Sequence, residues 1–137
     1  MKSFTKRILA AGLALAVVTG VSGAAVFADS SAPQTTDPST LCGAGVSGKS
    51  DMKYNTAFAY TSYGSYADSL SVVSTYTYWD NMRGMYGTQV KSSGHYNYAR
   101  VDFTAPRNCK SVNISSSHRV ARNHQVWTAD TFDDKEA

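Results

Sequence analysis

The sequence predicts an all-β chain: a small antiparallel β-sandwich, or partly open barrel, of about six or seven short strands. Three observations carry that expectation. From Met52 onward, apolar and aromatic residues alternate with polar ones at a period of two. Turn-forming clusters recur roughly every 8–12 residues. No window holds the i, i+3, i+4, i+7 spacing of an amphipathic helix over three turns. The apolar faces are thin, with Tyr and Thr standing where a larger domain would place Leu or Ile. That suits a small domain, which buries only about 60–65% of its unfolded surface.

The elements follow in chain order. Lys2, Lys6 and Arg7 form a basic start, residues 8–18 (ILAAGLALAVV) an apolar run, and Val26-Phe27-Ala28 a small-x-small cleavage site. The run is about 11 residues, short of the roughly 20 that span a bilayer. Residues 1–28 are therefore expected to be a cleaved signal peptide, and the mature chain to be secreted to the extracellular medium without a later transmembrane segment. No cysteine at the cut would carry a lipid anchor. Of 13 Lys and Arg, three lie in that segment, which leaves ten against ten Asp and Glu. The apparent basicity belongs to the signal and gives no reason to expect nucleic-acid binding. Residues 29–40 (DSSAPQTTDPST) read as a flexible, disordered leader, residues 41–132 as a single β domain, and residues 133–137 as an acidic tail.

Within the domain, strands are expected over residues 54–60, 70–79, 86–91, 96–104, 111–116 and 125–132, all rich in Tyr, Val, Thr, Phe or Trp. Tyr54, Thr56, Phe58 and Tyr60 share one face; Leu70, Val72, Tyr76 and Tyr78 share another. Turns are expected at residues 63–65, 80–81, 83–84, 92–94, 106–108 and 122–123. Cys42 and Cys109 are the two cysteines, and in a secreted chain they are expected to form one disulfide. Its loop of about 67 residues would contribute roughly 4 kcal/mol on the chain-entropy account.

Residues 43–50, GAGVSGKS, spell the phosphate-loop pattern G-x-x-x-x-G-K-[ST]. A working phosphate loop follows a buried parallel strand and opens a helix whose N-terminal amides hold the phosphates. Here TDPSTLC precedes the string, too polar and proline-bearing for a central strand, and DMKYNTAFAY follows it with strand alternation. No nucleotide is expected. Gly43, Gly45 and Gly48 read as a compliant loop leading into the domain.

Other constellations point away from catalysis. His95, His118 and His124 lack the converging partners a metal site needs, so no metal or other cofactor is expected. Nothing resembles G-x-S-x-G, and the sole Glu, Glu136, lies in the tail. No catalytic residue is assigned and the chain is not expected to be an enzyme. Charge placement is more informative. Between Arg83 and Arg122, seven Lys and Arg face a single acid, Asp102. The segment SHRVARNH gathers His118, Arg119, Arg122 and His124 around one presumed hairpin tip. With Arg100 and Lys110 these form a candidate patch for anionic cell-wall polymers or other envelope components. Arg100 can also pair with Asp102 on the same strand face. The nine tyrosines suit cross-strand packing, or an exposed platform for sugar rings. Asn113-Ile114-Ser115 has the spelling of a glycosylation sequon.

The stretch FAYTSYGSYADSLSVV, residues 58–73, resembles the lactococcin-type secreted bacteriocins. That resemblance implies a small exported β-sandwich protein that acts on the envelope of competing cells; the two cysteines and acidic tail depart from it. The residues themselves imply a secreted, non-catalytic binding protein at the envelope or in the medium. A bacteriocin-like toxin is the alternative, and a small secreted hydrolase the second alternative.

Overall fold

A computed structural model describes residues 33–134. The expected signal peptide, residues 1–28, and the last three tail residues lie outside the described residues. Among the described residues there is no helix, and nine strands form two antiparallel sheets. They are β1 (Gln34–Thr35), β2 (Ser39–Leu41), β3 (Ala44–Met52), β4 (Thr56–Tyr63), β5 (Ser69–Asp80), β6 (Met85–His95), β7 (Tyr98–Thr104), β8 (Cys109–Arg122) and β9 (Gln125–Asp134). In one sheet β3 and β4 are central, with β7 beyond β4 and the short β1 and β2 both pairing β3. The other sheet has the order β6-β5-β8-β9.

Period-two alternation sends one set of side chains between the sheets. Val46, Met52, Ala57, Ala59, Ala99, Val101 and Phe103 enter from the first sheet; Leu70, Val72, Tyr76, Ile114 and Val120 enter from the second. Alanines on β4 and β7 leave room for the large rings, and Tyr76 stacks on Phe103 with centroids 5.2 Å apart. Where this layer is not apolar it carries hydroxyls and the His118 imidazole. Ser50 Oγ donates to Ser116 Oγ across the gap at 2.7 Å, and Ser116 meets Ser74 at 2.7 Å.

The two sheets also guard their edges. Lys91 Nζ on β6 donates to the carbonyl of Asp102 on β7 (2.7 Å), and Gln89 Nε2 donates to that of Thr104 (3.3 Å). On the other side, the Phe132 amide of β9 donates to Gln34 Oε1 at 2.7 Å. Edge groups that would otherwise template another strand thus find side-chain partners.

Several sequence expectations need correcting. GAGVSGKS is not a loop but most of β3, flanked on both sides by antiparallel partners. Val46, Gly48, Ser50 and Met52 alternate inward there, and the small ones match the bulky or polar groups opposite. Residues 34–35 and 39–40, expected in the disordered leader, pair with β3, as does Leu41 at the expected start of the domain. Asp133 and Asp134, expected in the tail, end β9 and are buried. Residues 92–94 continue β6 instead of turning.

The Cys42–Cys109 disulfide is absent: both thiols are free, Cys42 exposed and Cys109 buried. Cys42 sits in the β2–β3 turn with its Sγ 3.6 Å from the Arg122 carbonyl, at one end of β8. Cys109 begins the same 14-residue strand at its other end. At about 3.3 Å per residue the two are roughly 40 Å apart, whereas bridged Cα atoms lie within about 7 Å.

Two hairpins close with both central residues at positive φ: Cys42 (50°) and Gly43 (81°), and Asn123 (50°) and His124 (63°). This is the tight turn that matches strand twist and favours Asn-Gly. His124 therefore holds a conformation that disfavours a side chain, and His124→Gly should raise the unfolding free energy by about 1 kcal/mol in urea titration. Gly48 is fixed by a different constraint. A Cβ there would lie 2.5 Å from the His118 ring. Gly48→Ala should destabilise by about 3 kcal/mol, read as a lower urea midpoint.

Candidate functional site

The outer face of the first sheet carries an aromatic and charged array. Lys49, Tyr60 and Arg100 stand on one rung of β3-β4-β7, and Asp51, Phe58 and Asp102 on the next. Phe58 and Tyr60 lie with ring centroids 6.4 Å apart and planes within 8° of parallel; Tyr60 and Tyr98 are 5.5 Å apart. The Arg100 guanidinium lies 4.2 Å from the Phe58 centroid and the Lys49 ammonium 5.9 Å from it. Arg100 also grips Asp102, with Nη2 2.9 Å and Nε 3.1 Å from Oδ1. That hydrogen bond raises the Arg100 pKa and holds the guanidinium in place. Two cations and two carboxylates leave the face formally neutral. Three rings thus form a row on the sheet: Phe58 and Tyr60 are half-buried, the Arg100 guanidinium lies over the Phe58 face, and Tyr98 is 44% exposed.

Alternation within residues 54–60 and 96–104 and the Arg100–Asp102 pair were readable from sequence. That Phe58, Tyr60 and Tyr98 meet was not, because it depends on β4 pairing with β7 across an intervening β5–β6 hairpin.

The predicted patch is dispersed. Arg119 is exposed and donates to Ser69 Oγ at 3.2 Å, and His124 is exposed at the β8–β9 tip. Arg122 shares that tip but is engaged: Nη1 donates to Ser65 Oγ at 2.7 Å and to the Tyr63 hydroxyl at 3.2 Å. Arg100 belongs to the other sheet and Lys110 to the opposite end of β8. His118 is fully buried between the sheets.

His118 lies in a hydrogen-bonded seam. Nδ1 lies 2.8 Å from Thr61 Oγ1, which also donates to the Ser71 carbonyl at 2.9 Å. Nε2 lies 2.7 Å from Thr131 Oγ1, which also meets Ser50 Oγ at 2.6 Å. Burial lowers the His118 pKa to about 4 and keeps the ring neutral at physiological pH. Asp133 moves oppositely. Burial, above all, raises its pKa to about 7 despite the 2.7 Å hydrogen bond from the Met52 amide, with Asp51 and Asp134 adding to the rise. Among the described residues no group of three or more His, Cys, Asp or Glu could hold a metal ion.

No protein-family model matches the chain, and neither a curated protein nor a solved structure matches it. The functional reading therefore rests on the chain's own geometry.

The two perturbed groups set opposite pH slopes. His118, with its folded pKa lowered from 6.5 to about 4, contributes stability above pH 6.5 that is lost as pH falls through that window. Asp133, raised from 3.8 to about 7, contributes stability at low pH that is lost as pH rises through its own window. Between pH 4.5 and 6.5 the two slopes oppose. Asp133→Asn should therefore unmask a melting temperature that climbs with pH across that range, more steeply than in the parent protein. A flatter profile in the variant would contradict the assignment.

Proposed function

We propose that the protein is a secreted, non-catalytic binding module: a two-sheet β-sandwich that engages polysaccharide at the cell envelope through the outer face of its five-stranded sheet. The observation that carries this reading is the Phe58–Tyr60–Tyr98 row flanked by Lys49 and Arg100. Sugar rings present apolar C–H faces that pack on aromatic rings, and their hydroxyls take hydrogen bonds from charged rims. Three rings in line on a sheet suit a chain of repeated rings better than a compact ligand. Arg100, fixed by Asp102, is pre-oriented, which lowers the ordering cost of binding. The hairpin at Arg122–His124 is the weaker locus, since Arg122 is committed to Ser65 and Tyr63.

Co-sedimentation with purified envelope polysaccharide tests the proposal. The double change Tyr60→Ala/Tyr98→Ala should weaken binding about tenfold or more, each ring contributing about 0.5–1.5 kcal/mol. Because the face is formally neutral, moderate salt should change the affinity little. Retained binding in that variant, with loss in Arg119→Ala, would move the site to the hairpin.

A further inference from the structure

Three turns at the end of the molecule remote from the β8–β9 tip border a shallow, open cleft of about 600 Å³. They are the β3–β4, β5–β6 and β7–β8 connections, and they are stapled to one another. The Ala105 amide donates to the Asn55 carbonyl (2.8 Å), the Ser111 amide to the Tyr54 carbonyl (2.7 Å), and the Asn81 amide to the Asn108 carbonyl (3.1 Å). The cleft wall offers the exposed Tyr54 ring, the Asn55, Asn81 and Asn108 amides, and the Arg107 guanidinium.

Charge is concentrated at this end. Lys53, Arg83, Arg107 and Lys110 stand on or beside these turns, with Asp51 and Asp133 near Lys53 and Asp80 near Arg83. Asp80 is already occupied, accepting from the Met82 and Arg83 amides at 2.9 and 3.0 Å and lying 3.8 Å from Arg83 Nε. Among the described residues Arg107 has no acidic partner, although a guanidinium fork suits a planar carboxylate.

The geometry points to a second binding site in this cleft, for an acidic saccharide: a sugar unit whose carboxylate meets Arg107, whose hydroxyls meet the asparagine amides, and whose ring lies on Tyr54. The saccharide class rests on the polysaccharide reading above; the anion rests on the cleft itself. The Phe58–Tyr60 row lies on β4, which starts directly after Asn55, so one polymer could follow the rings and end here.

Calorimetric titration of the whole protein with a short oligogalacturonate tests this, against a neutral galacto-oligosaccharide of equal length and against inorganic phosphate. The acidic oligomer should bind at least tenfold tighter than the neutral one. Arg107→Ala should remove that preference and Tyr54→Ala should weaken both, while Tyr60→Ala/Tyr98→Ala leaves the acid preference intact. Arg107 and Tyr54 are exposed, so both variants should fold, as melting curves would confirm. Equal binding of the two oligomers, an unchanged preference in Arg107→Ala, or displacement by phosphate at the oligomer's own concentration would overturn the proposal. Loss of acid preference in the ring variant alone would place the anion on the platform instead.

Discussion

The seam of hydroxyls around His118 is the constraint on which the rest of the molecule depends. Two sheets with a thin apolar layer must still exclude water and hold one register. Thr61, His118, Thr131, Ser50, Ser116 and Ser74 do so through a continuous run of contacts between 2.6 and 2.8 Å. Each such bond nets only about 1 kcal/mol, but an orphaned buried hydroxyl costs about 1–3 kcal/mol. Sliding either sheet by one residue would orphan several at once and expose the alternating apolar set. Gly48 belongs to the same constraint, since its missing side chain is the space the imidazole fills. The seam therefore specifies the sheet pairing more sharply than the modest apolar contacts do.

A core built this way directs recognition outward. The groups with the largest shifts in titration, His118 and Asp133, would be leading candidates for chemistry if they faced a cleft. They face hydroxyls and a backbone amide, and burial is the main cause in both. Their perturbation marks where the sheets are joined. The two surfaces proposed for binding, the ring row on one face and the Arg107 cleft at one end, both lie outside that joined layer.

Much of this was legible in the sequence. The strands of the second sheet were readable as to type, and the inward set Leu70, Val72 and Tyr76 came directly from their spacing. The strand β3 was not legible, because Gly and Ser carry little strand preference by themselves. What makes GAGVSGKS a strand is the neighbour it must fit, and that neighbour lies on β8, far along the chain. His118 was placed with the surface charges for the same reason. Its burial follows from β8 continuing through 14 residues to Arg122, where a turn-rich reading ended the strand at Ser116. The cysteine pairing failed because composition and compartment say nothing of distance along a strand.

Length explains one more feature. β5 and β8 run 12 and 14 residues, while β4 and β7 opposite them run 8 and 7. The longer pair therefore cannot end flush with the shorter at both ends. β5–β6 and β7–β8 instead lean together over Tyr54 and Asn55, and the hydrogen bonds from Asn81 to the Asn108 carbonyl fix that lean. The cleft's place among these connections follows from the hydrogen bonds that draw them together at one end of the paired sheets. That place also explains why the cleft is lined by turn residues, which are polar and sterically permissive, instead of by the core.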